Sequence, residues 1–148
     1  MDDIPGRIEH TVLGPTTAWA AVEALLDTAA EYEMRACLPP CYVAEATEYA
    51  PDVEVSTVIG FPHGQHTTET KCEEATSAWQ AGADELDLVP NLGRGREDPA
   101  AVRTEVEEVV AAVPVPVKVI LETSLFDADD LRALCQAAID GNAAFLKT

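Results

Sequence analysis

The chain has 148 residues, and its 27 acidic side chains against 9 basic ones give a formal net charge of −18. A field of that sign repels nucleic acid and anionic membrane surfaces, and the opening "MDDIPGRIEH" has no apolar segment of the kind that directs secretion. The length suits one domain, and the 47% apolar content is that of a globular chain in which no run is long enough for a membrane-spanning helix.

The acids are dispersed through segments such as "VRTEVEEVV" rather than gathered in a tail. Together with the scarcity of lysine, this is the surface of a protein adapted to a high-salt cytoplasm, where a Debye length of about 3 Å at molar salt screens self-repulsion. The cytoplasm also keeps thiols reduced, so Cys37, Cys41, Cys72 and Cys135 are expected to be free.

Two textures alternate along the chain. "RIEHTVL" is the first β-branched run. "TTAWAAVEALLDTAAEYE" follows with Trp19, Val22, Leu25, Leu26 and Ala29 on one helical face. "MRACLP" predicts a second strand, and "CYVAEATEYA" a short helix stopped by Pro51. "VEVSTVIGF" is a third strand, and "TTETKCEEATSAWQAG" a helix with Thr67 or Thr68 as N-cap and Gly82 as its stop. Lys71 in that helix has acidic neighbours and reads as a surface ion pair of little weight. His63 and His66 before it read as a polar loop, with no metal expected; Trp19 and Trp79 read as packing residues.

"DELDLV" predicts a fourth strand and "GRGRE" a turn. "EDPAAVRTEVEEVVAAV" predicts a helix capped by Asp98, with Pro99 at its first position and Val102, Val106, Val109 and Val110 as its apolar stripe. "VPVKVILET" is a fifth strand, "FDADDLRALCQAAIDG" a helix that opens with acids and ends at Gly141, and "AFLKT" a sixth strand.

Six strands alternating with five helices imply a parallel sheet with helices packed outside it. The first strand–helix junction, "HTVLGPTTAWA", lacks the glycine fingerprint of a dinucleotide site, which favours a (β/α)₈-type barrel over an open nucleotide-binding sheet. Because alternate strand residues face opposite sides, Glu85 and Asp87 share one face of their strand, Lys118 lies opposite Val117 and Val119, Lys147 opposite Leu146, and Glu9 and Thr11 opposite Ile8 and His10. Carboxylates and lysines do not sit in a sheet interior without partners. An inward lysine is a nucleophile for carbonyl carbon once deprotonated, and a second cation such as Lys118 lowers its proton affinity. A carboxylate such as Asp87 can move the protons that imine formation and carbon–carbon cleavage require.

"IEHTVL", "CLPPCYV", "STVIGFPHG", "TKCEEATSAWQAGADELDLVPNLG", "VKVILET" and "AAFLKT" resemble, in order, the motifs of deoxyribose-phosphate aldolase, from about residue 7 to the end of the chain. The resemblance implies a (β/α)₈ barrel that reversibly cleaves 2-deoxy-D-ribose 5-phosphate to D-glyceraldehyde 3-phosphate and acetaldehyde, with neither metal nor other cofactor and possible assembly as a homo-oligomer. It implies that Lys147 is the Schiff-base lysine, Asp87 the proton-relay carboxylate and Lys118 a lysine lining the site. Thr11, Glu9 and Cys37 are the expected substrate-binding residues. The family's usual Asp-His-Thr reads Glu9-His10-Thr11 here, one methylene longer. A barrel of this type uses roughly 250 residues and eight strands, so residues 1–148 are expected to form a single partial barrel domain of six strands. The expectation is of a truncated aldolase, with weak activity on its own or with a need for a partner chain.

Overall fold

The computed structural model describes residues 4–148. It contains six parallel strands: β1 (Glu9–Thr11), β2 (Arg35–Leu38), β3 (Val55–Ile59), β4 (Glu85–Leu88), β5 (Val117–Ile120) and β6 (Phe145–Lys147). They form one sheet in the order β1-β2-β3-β4-β5-β6. The helices between them are α1 (Trp19–Glu31), α2 (Val43–Tyr49), α3 (Thr68–Gln80), α4 (Leu92–Glu97), α5 (Pro99–Ala112) and α6 (Ala128–Asp140). Every strand therefore neighbours its predecessor through a βα crossover, the connectivity of a barrel wall. The sheet curls far enough for a side chain of β1 to touch side chains of β5 and β6.

The expected helix signals are present. Thr67 accepts from the Thr70 N–H at the start of α3, Asp98 caps α5 ahead of Pro99, and Asp127 accepts from two N–H groups at the start of α6. After α3 the chain turns through Gly82, whose φ of +107° is a conformation that glycine tolerates and other residues resist. The α1 stripe of Val22, Leu25, Leu26 and Ala29 is buried, whereas Trp19 is only half-buried and packs against Tyr42 and Tyr49. Val102, Val106 and Val109 of α5 are buried as expected.

Two local expectations are corrected. The segment around "GRGRE" is not a turn but the short helix α4, making six α-helices rather than five. Two glycines weaken its helical signal, but the Asn91 side chain caps it and the residue at Gly95 must be small, since a Cβ there would lie 2.4 Å from Val102. Lys71 is not a surface residue. It has no exposed area and pairs with Glu105 of another helix, not with a neighbour on its own.

The core lies between the helices and the outward face of the sheet, built from Leu26, Leu38, Ile59, Leu86, Leu88, Val119, Leu134 and their neighbours. Strand parity decides what remains for the inner face. Leu86 and Leu88 of β4, and Val117 and Val119 of β5, are buried on the core side, which turns Glu85, Asp87 and Lys118 inward. β1 and β6 are the two edges of the sheet. Phe145 and Leu146, on β6, are 56% and 41% exposed.

Candidate active site

Lys147, Lys118, Asp87 and Glu9 come together on the inner face. The Lys147 Nζ lies 2.5 Å from Asp87 Oδ2 and 2.7 Å from Glu9 Oε2. Lys118 Nζ donates to the other Glu9 oxygen, lies 2.7 Å from Glu85 Oε2 and is 3.4 Å from Asp87 Oδ1. The register explains the convergence. Asp87 pairs with Lys118 across β4–β5, and Lys118 with Phe145 across β5–β6, so Lys147 sits two residues further along the same face.

Glu9 takes one lysine on each oxygen and accepts a third hydrogen bond from the Ser56 hydroxyl at 3.0 Å. Its extra methylene relative to aspartate lets it reach the far side of the curled sheet. Cys37 is buried with its thiol 3.8 Å from Asp87 Oδ2. Thr11 does not join the cluster; it is exposed, and its hydroxyl bonds to the backbone carbonyl of Glu9. A cavity of about 630 Å³ opens beside the cluster between β1 and β6, lined by Glu9, Arg35, Lys118, Phe145 and Lys147 among others.

The electrostatics correct one expectation. Lys118 does not dominate Lys147 as a repelling cation. Burial works against the charge on Lys147, but hydrogen bonds to Asp87 and Glu9 overcome it and hold the ammonium above its ordinary proton affinity. Lys118 is raised in the same way, with Glu85 and Glu9 outweighing its burial. For Glu9, burial pushes the pKa up, but the two lysines prevail and bring it down to about 2. The Cys37 thiol is pushed up to about 11, first by burial and then by the Asp87 charge, so it is a neutral wall of the site.

Two further inner-face residues join the network: Glu85, whose face the strand parity gave but whose partners it did not, and Arg35, which the sequence reading missed. Glu85 bridges Lys118 to Arg35, whose Nη1 lies 2.7 Å away, and Arg35 also binds Glu54. The signal was present for Glu85, which has the parity of Asp87. Arg35 carried none, because a strand-leading arginine ordinarily lies in solvent. Glu122, at the end of β5, is exposed and outside the network. The described residues contain no group of three His, Cys, Asp or Glu side chains placed to hold a metal, and no helix among them is long and apolar enough to cross a membrane. All four cysteines are free thiols.

A curated deoxyribose-phosphate aldolase from Natronomonas pharaonis is 62% identical over 148 residues, covering 99% of this chain and 69% of that protein. The chain belongs to the deoxyribose-phosphate aldolase family. The family member from Haloarcula marismortui is 56% identical over the whole chain and 64% of its own length. Both organisms are halophiles, in keeping with the acidic composition. Among solved structures, a tetrameric deoxyribose phosphate aldolase from Aeropyrum pernix superposes with a TM-score of 0.90 at 37% identity, across 99% of this chain and 64% of that one. The curl of six strands is thus the wall of the aldolase barrel, and the chain spans roughly two-thirds of the length of these family members. No family model matches the chain.

Proposed function

We propose that this chain carries the Schiff-base half of a deoxyribose-phosphate aldolase site, with Lys147 as nucleophile, Asp87 as proton carrier, Lys118 and Glu9 as the charges that set the state of Lys147, and Cys37 and Thr11 beside the substrate path. The observation that carries the reading is the contact between Lys147 Nζ and Asp87 Oδ2, inside a network spanning β1, β4, β5 and β6.

In the resting arrangement Lys147 is protonated, and Asp87 is the adjacent acceptor for that proton. The neutral amine adds to the C1 aldehyde of 2-deoxy-D-ribose 5-phosphate, and loss of water gives the iminium ion. Removal of the C3 hydroxyl proton then breaks the C2–C3 bond. Its electron pair moves to the iminium carbon–nitrogen system as an enamine, and D-glyceraldehyde 3-phosphate departs. Protonation of the enamine at C2 and hydrolysis of the imine release acetaldehyde and restore the amine. Asp87 suits both transfers: it is fully buried, and its Oδ1 makes no hydrogen bond among the described residues, which leaves an acceptor for a relaying water. Free thiols agree with a reducing, cytoplasmic setting, and the apolar Phe145 and Leu146 on the β6 edge are a surface through which copies of the chain could associate.

The test is reductive capture. The chain is incubated with acetaldehyde and borohydride between pH 7 and pH 10, then digested and analysed by mass spectrometry. An ethyl adduct is expected on Lys147, with yield rising with pH and absent from Lys147→Arg. Adducts spread over the other lysines, or none on Lys147 at any pH, would overturn the assignment.

A further inference from the structure

The second buried charge pair lies outside the lysine cluster. Lys71 has no exposed surface, and Glu105 is 5% exposed. Lys71 Nζ lies 2.5 Å from Glu105 Oε1 and donates to the backbone carbonyl of Gly64 at 2.7 Å. The other oxygen, Glu105 Oε2, accepts the backbone N–H of Asn91 at 2.7 Å. Four segments therefore meet at one ion pair: α3, α5, the loop after β3 and the loop after β4. The two loops also touch directly. Gly64 has φ +67°, and a Cβ on it would lie 2.1 Å from the Pro90 carbonyl oxygen. A third tether holds the same region, with Glu74 accepting from the Gly60 N–H at 2.7 Å.

Burying two charges is a poor route to stability, since an apolar pair of equal volume often does as well. What an apolar pair cannot supply is direction. Beyond the ion pair itself, Lys71 and Glu105 each fix one backbone group in a loop, and both loops leave the C-terminal ends of their strands, the same end at which Lys147 closes β6. Asn91 is four residues beyond Asp87.

We infer that Lys71 and Glu105 are positioning residues, which lock the β3–α3 and β4–α4 loops together as a rigid rim over the lysine site. The rim itself follows from this geometry; its effect on substrate rests on the aldolase reading. Locking the loops favours encounter of an aldehyde with Lys147 in one orientation.

The experiment compares the parent chain with Lys71→Met/Glu105→Met by hydrogen exchange and by borohydride capture of acetaldehyde. The double variant is expected to melt within about 3 °C of the parent, while amides in segments 60–66 and 89–95 exchange at least about tenfold faster. The aldehyde concentration for half-maximal capture at Lys147 should rise about tenfold, with the saturating rate held within about threefold. Parental exchange in both loops would overturn the inference, as would parental capture in a variant whose loops are loosened.

A second pair of variants covers a failure of the double variant to fold. The φ of Asn91 is −73°, which proline accepts. Asn91→Pro deletes the N–H that Glu105 binds, Asn91→Ala keeps it, and both lose the α4 cap. Faster exchange in segment 60–66 for the proline variant alone supports the inference; equal behaviour overturns it. If the parent chain shows no capture at Lys147, the aldolase reading fails, and loop exchange still decides the positioning role.

Discussion

Glu9→Gln is the sharpest probe of the inner-face network, because neutralising one carboxylate loosens two lysines at once. Glu9 ordinarily titrates at 4.5; here burial opposes its charge, and the bonds from Lys118 and Lys147 still bring it down to about 2. Its side chain is only 15% exposed, so solvent screening is modest. A lowering of that size corresponds to about 3 kcal/mol of folding stability at neutral pH, and in a chain of this size to a melting point about 10 °C lower in the variant. Because the folded-state value is the depressed one, the contribution is complete above about pH 4.5 and is lost as pH falls towards 2. Parent and Glu9→Gln melted side by side in molar KCl should differ most at neutral pH and converge on acidification. Equal melting points at pH 7, or a deficit that persists unchanged to pH 2, would refute the view that Glu9 is held as an anion between two lysines.

Replacing Asp87 by Asn removes the anion nearest Lys147, so the pH profile of acetaldehyde capture should move to lower pH. If the carboxylate carries the protons, the plateau should also fall by about 100-fold or more, which stopped-time capture would read. Raising KCl from dilute buffer to molar should raise the melting temperature of the parent chain, because the net charge of −18 is self-repelling until screened; a flat or falling curve would count against it. Gly95→Ala forces a methyl against Val102 and Leu134, at 2.4 Å and 2.8 Å, and should destabilise the chain by about 1–3 kcal/mol in a urea titration while leaving the pH profile of capture in place.

Much of this molecule is readable from strand parity and helix caps. "DELDLV" and "VPVKVILET" each have an apolar face to cover the core, so their charges had to turn inward; the family motifs then suggested the roles proposed for Lys147, Asp87 and Lys118. Thr67, Asp98 and Asp127 are caps because a side-chain oxygen just before an apolar stripe answers unsatisfied N–H groups. Lys71 was misread as a surface residue and Glu105 passed over, because their signal lay in position rather than type. Lys71 falls in line with Ala75 and Ala78, and Glu105 with Val102, Val106 and Val109, on stripes that must be buried. The proton affinity of Lys147 was not legible. A nearby lysine on an adjacent strand suggests depression, and only the structure shows that Glu9 and Asp87 contact the ammonium directly and raise its proton affinity. Thr11 shows the converse, since correct parity still leaves a short side chain bonded to its own backbone.

The sheet has an unusual architecture of dependence. Its backbone hydrogen bonds join only successive strands, so the wall behaves like a row of repeated units, each leaning on the one before and the one after. Such a row can zip up from any point and peel from either end. Glu9 breaks the pattern by clasping Lys118 and Lys147, partners 109 and 138 positions away along the chain. One side chain on the first strand thereby turns a ladder into a hoop, and the ends come to share their fate: loosening either one loosens the other, and Lys147 stays in place only while the first strand does.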